Sequence, residues 1–205
     1  MTSSLGTESE KLRKHLGKHY PIGDAAWNAF SAKLTLVKLP AGEPYIDLGD
    51  PCDRFGILSS GLLKAYYITS KGDEFIHAFI SEWEPCTAYA GALTGNPSSA
   101  IFETIEESVI LEVSVGHFRS LFEEFPEWNH IGRILIEREY IAKIRRIGEL
   151  LTLSSQERFD MFVHSNAHLL GRLKQFHVAA YLGIRPESLS RLRANQKRNS
   201  PHRRR

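Results

Sequence analysis

Residues 175–197 read QFHVAAYLGIRPESLSRLRANQK, and their spacing decides how the rest of the chain is read. Val178, Ala179 and Leu182 form one apolar helical face. Gly183 follows as a residue free to take positive φ and end that helix. Ile184 plugs the turn, and Pro186 stands where a second helix accepts proline, with Glu187 favourable in its first turn. Leu189 and Leu192 give the second helix an inward face, while Glu187, Ser188, Ser190, Arg191 and Asn195 point elsewhere. Ala179 is small enough to let two helices cross closely at a three-residue turn. This is helix-turn-helix spacing.

The charge distribution agrees with it. The 205 residues carry a formal net charge of +2. Residues 170–205 hold ten Lys or Arg against the single acid Glu187, a local +9, which leaves −7 on the first 169. An acidic body joined to a basic module points to a polyanionic partner. A solvated tail would explain Arg203 to Arg205, but not the charges interleaved with the apolar pattern. Double-stranded DNA is therefore the expected partner, with the second helix entering the major groove. Arg191 suits guanine O6 and N7, and Glu187 suits the amino group of cytosine; Ser188 joins them as a base-reading candidate. Lys174, Arg185, Ser190, Arg193, Lys197 and Arg198 are the phosphate candidates, setting affinity and salt dependence.

Upstream, Ser154 and Glu157 have capping-box spacing, so a fresh helix starts there with Phe159, Phe162 and Val163 inward. Before it, Pro126 opens a long helical run, EWNHIGRILIEREYIAKIRRIGELLTL. Ile134, Ile141 and Gly148 fall seven apart, as do Glu137, Ile144 and Leu151, and the two sets interleave into a seam. Ile136, Tyr140, Ile147 and Leu150 occupy another face. A helix apolar on two sides needs two partners, expected to be its own β-domain and the same helix of a second chain. The expected dimer interface is Ile134, Ile141, Ile144, Gly148 and Leu151; the alternative is a core helix of a single chain.

The N-terminal half has a different grammar. After helical material over residues 5–30, short β-runs follow: LTLVKL (34–39), LLKAYYI (62–68), EFIHAFI (74–80), AIFETI (100–105) and VILEV (109–113). Dense turn signals separate them, so an antiparallel β-barrel or jelly roll is expected, in a chain of α+β class. His117 to Phe125 reads as a short helix. The expected division is a sensor barrel over 1–125, a dimerisation helix over 126–153 and an all-α helix-turn-helix domain over 154–205. The chain is 42% hydrophobic and 24% charged, enough for a proper core. No run approaches a membrane span, and the N-terminus lacks a secretory apolar segment, so a cytoplasmic protein without membrane contact is expected. Cys52 and Cys86 are too few for a disulfide framework, a four-thiolate zinc site or an iron–sulfur cluster. No cofactor is expected.

The order of β-barrel, long helix and helix-turn-helix resembles the Crp/Fnr superfamily of bacterial transcription regulators over nearly the whole chain. Gly49-Asp50 and Ile57-Leu58-Ser59-Ser60-Gly61 fall at turns typical of its cyclic-nucleotide-binding domain, and Lys71-Gly72-Asp73-Glu74 resembles the hairpin that follows. Glu187-Ser188-Leu189-Ser190-Arg191 is similar to the recognition-helix core E-[ST]-x-[SG]-R, and this implies that Glu187 and Arg191 read bases. Two departures stand out. Members that bind cyclic AMP carry Arg-[ST]-Ala in a phosphate cassette, and here Ser98 takes the Arg position, followed by Ser99-Ala100. No charged residue lies between Cys86 and Phe102, and a buried phosphate monoanion needs a cationic or dense amide partner. Control by cyclic AMP in the usual way is therefore not expected. Trp83, Tyr89, Ser98 and Ser99 mark the degenerate ligand pocket. No β-hairpin wing fits either beside the helix-turn-helix.

Two rival functions are open. A metal-dependent enzyme of cupin type would need an H-x-H pair, and His77 and His117 stand alone; no enzyme is expected. A sensor or adaptor acting through protein contacts, with a degenerate helix-turn-helix, is the other. An unidentified small-molecule effector and RNA polymerase are further candidate partners, and Cys52 and Cys86 read as ordinary thiols or as redox switches.

Overall fold

The computed structural model describes residues 4–199. Clustering of contacts divides the chain into two compact units: residues up to Tyr67 with Ala78–Tyr140, and Ile68–His77 with the residues from Ile141 on.

The first unit opens with helices α1 (Leu5–Gly17) and α2 (Asp24–Ser31). The strands are β1 (Thr35–Leu39), β2 (Pro44–Ile46), β3 (Arg54–Ser60), β4 (Leu63–Ile68), β5 (Glu74–Ile80), β6 (Pro85–Cys86), β7 (Ile101–Thr104) and β8 (Ser108–Ser114). A short helix, α3 (Tyr89–Thr94), separates β6 from β7, and α4 (Val115–Glu124) follows β8. They make two four-stranded sheets ordered β1-β8-β3-β6 and β2-β7-β4-β5. Paired strands run antiparallel, with Leu36 opposite Leu111 and Ala65 opposite Phe102. The α+β class and the antiparallel β-domain are as the sequence predicts.

The first sheet is covered on both faces. On its inner face Leu58 and Ile110 join Tyr45, Ile46, Leu63, Ala65, Ile80 and Phe102 between the sheets. On its outer face Phe55, Ile57, Leu111 and Val113 meet Leu12, Trp27, Phe30, Phe118 and Trp128. Phe55 stacks on Phe118 at 3.8 Å, and the Trp128 indole donates to the Ala26 carbonyl at 2.8 Å. Strand β3 has no alternating pattern because both of its faces are buried. It ends at Gly61, whose φ of +107° and close approach to Ser108 and Glu107 admit no side chain.

Helix α5 (Pro126–Thr152) begins at the expected proline. The second unit continues with α6 (Ser155–Ser165), a 3-10 turn (Ala167–Leu169), α7 (Gln175–Leu182) and α8 (Pro186–Asn199). Ser154 and Glu157 form the predicted capping box, and their hydrogen bonds hold the Glu157 carboxyl below its usual range. Phe159, Phe162, Val178, Ala179, Leu182 and Leu189 are buried, and the Phe162 and Tyr181 rings lie 5.0 Å apart.

Candidate nucleic-acid interface

The turn between α7 and α8 is built as its residue types require. Gly183 adopts φ +67°, ψ +37°, and its N–H and that of Ile184 close on the carbonyls of Ala180 and Ala179. The backbone N–H groups of Ser188 and Leu189 turn back to the Arg185 carbonyl at 3.0 and 3.2 Å, and this starts α8. Leu189 is fully buried beneath the helix and fixes which side faces outward.

That outward side carries Glu187, Ser190, Arg191 and Ala194, all exposed and spaced three and four apart. Neither Glu187 nor Arg191 enters an ion pair with another described residue. Ser188, expected beside them, is half-buried, whereas Ser190 shares their face. Lys174 and Arg185 are exposed at the starts of α7 and α8, and Arg193 is half-buried. The side chains of Lys197 and Arg198 and the whole of Arg203 to Arg205 lie outside the described residues. Phe176, half-exposed in the first turn of α7 with the Lys174 ammonium 5.8 Å from its ring centre, drew no attention in the sequence. A lone aromatic at a helix start has no periodic signal to announce it.

Along α5 the exposed apolar side chains are Ile136, Tyr140, Ile141, Ile144, Ile147 and Leu151, the last 79% exposed. They make a stripe from both sequence-read sets. Ile134, assigned to the dimer seam, packs instead on the core of the first unit, and Gly148 is half-buried. The stripe holds Ile141, Ile144 and Leu151 of the predicted seam together with Ile136, Tyr140 and Ile147 of the other face.

The degenerate pocket is rearranged more thoroughly. Trp83 stacks on His15, at 5.3 Å between ring centres, and joins the outer-face core. Ser98 is buried and satisfies itself, its hydroxyl donating to the Ala100 carbonyl at 2.7 Å. Ser99 is exposed and Tyr89 half-buried. A cavity of about 360 Å³ lies beside α3, lined among others by Pro51, Cys52, Ala92 and Pro97. None of the four predicted residues lines it. Among the described residues lining it, Asp53 is the charged one. Between the sheets, the Tyr45 hydroxyl donates to Glu112 at 2.7 Å beside the buried Cys86 thiol. Burial pushes the Tyr45 and Cys86 pKa values far up, so the phenol and thiol stay protonated. Cys52 is also pushed up, chiefly by burial. No group of three or more His, Cys, Asp or Glu that could hold a metal occurs among the described residues. No described helix is long and apolar enough to cross a membrane.

Comparison with known proteins agrees with this architecture. Residues 36–125 match the family model of the cyclic nucleotide-binding domain. Electron transport regulator A of Shewanella oneidensis is 25% identical over 168 residues, 74% of this chain. The chain spans 64% of that relative's length. Among solved structures, the c-di-GMP-responsive global regulator CLP of Xanthomonas campestris superposes with a TM-score of 0.72 at 14% identity, over 86% of this chain and 93% of its own. A candidate transcriptional regulator of the Crp/Fnr family from Eubacterium rectale does so at 0.71 and 15% identity, over 89% and 87%. Residues 36–125 thus resemble a cyclic nucleotide-binding domain, within a chain whose fold is that seen in Crp/Fnr-type transcription regulators.

Proposed function

We propose that this protein is a homodimeric regulator that reads a palindromic operator through α8. The observation that carries the reading is the face of Glu187, Ser190 and Arg191, exposed and, among the described residues, without ion pairs, at the start of a helix held by a left-handed glycine turn. An exposed Arg and Glu with no ion-pair partner among the described residues are available for base edges, Arg191 to guanine and Glu187 to cytosine. Ser190 joins that face and Ser188 sits at its margin. Lys174 and Arg185 stand at helix starts, where exposed N–H groups and the helix dipole already favour a phosphate. Lys174, Arg185 and Arg193, with Lys197 and Arg198 on the sequence evidence, supply the phosphate contacts that set affinity and salt dependence.

The apolar stripe on α5 supports the dimer, since six large apolar side chains on one helix need cover. Two-fold symmetry then places two copies of α8 on half-sites about 10 bp apart or a multiple of that. With Ser98 turned to its own backbone and no cation at the cassette, cyclic AMP is not the controlling ligand.

The test is selection of genomic DNA fragments on the purified protein at near-physiological salt, beside the Glu187→Ala/Arg191→Ala variant. A palindromic consensus is expected, lost in the variant while salt-sensitive bulk binding persists. No enrichment by the wild-type protein, with or without cell extract as a source of effector, would sink the reading.

A further inference from the structure

Resting on that reading, we propose that Arg146 is the positioning residue through which α5 sets the orientation of the base-reading helix. Arg146 is 7% exposed in the middle of α5. Its guanidinium donates to the backbone carbonyl of Tyr181 in the last turn of α7, and its carbon centre lies 4.0 Å over the Tyr181 ring. A second arm reaches Glu149 at 3.4 Å, which holds the fork in place along its own helix.

The carbonyls at the end of α7 account for why this contact matters. Those of Ala179 and Ala180 accept from Ile184 and Gly183 within the turn. Those of Tyr181 and Leu182 are taken by arginines from two preceding helices, Arg146 of α5 and Arg158 of α6, the latter at 3.3 Å. Cationic donors at a helix C-terminus complement its dipole as well as its unpaired carbonyls. The clamped end leads directly through Gly183 into α8, so a turn or slide of α5 moves the start of the reading helix. A planar fork that also stacks on Tyr181 holds orientation as well as distance, which a lysine cannot reproduce.

The neighbouring contacts have the same geometry. His77 of β5 accepts from the Lys143 ammonium at 3.0 Å, one turn before Arg146, and Phe75 lies 3.4 Å from where a Cβ on Gly183 would stand. At 100° per residue, Arg146 projects roughly 130° from the mean direction of Tyr140, Ile144, Ile147 and Leu151. One turn of α5 therefore carries both the proposed dimer stripe and, on a separate face, the clamp on α7.

The test compares Arg146→Met and Arg146→Lys with the wild-type protein, using the consensus fragment selected above and a scrambled fragment of equal length. The expected result for Arg146→Met is at least tenfold weaker binding to the consensus, with scrambled-fragment affinity, sedimentation mass and helical circular dichroism unchanged. Arg146→Lys is expected to fall between the two. Amide exchange at Gly183 and Ile184 should quicken in Arg146→Met, a readout that needs no DNA. Consensus affinity within twofold of wild type in both variants would overturn the inference, and so would equal losses on both fragments, which mark simple unfolding. Should the wild-type protein fail to select any consensus, the functional reading fails first, and that outcome is separate from either variant.

Discussion

His77 shows what a single side chain contributes in this fold. It stands on β5 against Lys143 and Arg146, and burial with those two cations lowers its pKa to about 3. In the unfolded chain a histidine titrates near 6.5. Between pH 6.5 and 3 the unfolded state therefore binds a proton that the native state refuses. Neutral His77 is compatible with full stability above pH 6.5, and stability drains away as pH falls, at up to about 1.4 kcal/mol per pH unit. His77→Gln should flatten the urea-midpoint profile between pH 6.5 and 4; an unaltered slope would show that other groups set it. The histidine was visible in EFIHAFI as a residue on the Phe75 and Phe79 side of the strand. Its cationic neighbours, 66 and more residues away, were not.

Among the elements, α5 shows where a periodicity argument succeeds and where it slips. Its start at Pro126, its length and its surplus of apolar positions all follow from the sequence. Two apolar sets overlap along it, and only packing shows which positions are already used. Ile134 is spent on the first unit's core; Ile144, Ile147 and Leu151 remain uncovered. Ile144→Lys/Ile147→Lys should therefore yield a folded monomer, with half the wild-type sedimentation mass and unchanged circular dichroism, because neither side chain supports the monomer's own core. Loss of helical signal with the mass change would assign the stripe to intramolecular packing instead. Strand β3 takes in residues 57–60, which the resemblance placed at a turn; burial on both faces erases the alternation that identifies a strand.

Over the whole molecule, charge is unevenly distributed along the chain. The basic end carries the helix proposed to read DNA, while the β-domain keeps a carboxylate, Glu112, beside Tyr45 between its sheets, and Asp53 is the charged residue among those described as lining the cavity at α3. Cyclic AMP added at millimolar concentration should leave both the thermal midpoint and the DNA affinity where they were. A rise in midpoint that saturates with nucleotide would show that backbone amides alone suffice to hold the phosphate. The same domain supplies the 360 Å³ cavity beside Cys52, lined in part by Gly91, Ala92, Gly95, Asn96 and Pro97 between Tyr89 and Ser98.

Local rules by themselves determined the class of this protein: the αL glycine and N1 proline of the helix-turn-helix, the capping box at Ser154, the short β-runs and the +9 terminus are all decided within a few residues. That is where propensity, capping and charge act. The tertiary structure alone decided which face each element spends. It moved Trp83 onto His15 at the edge of a core and brought Arg146 to the end of α7. Those outcomes depend on contacts between residues tens of positions apart, and a hydrophobic or charged side chain does not record in its local sequence which distant partner will desolvate it.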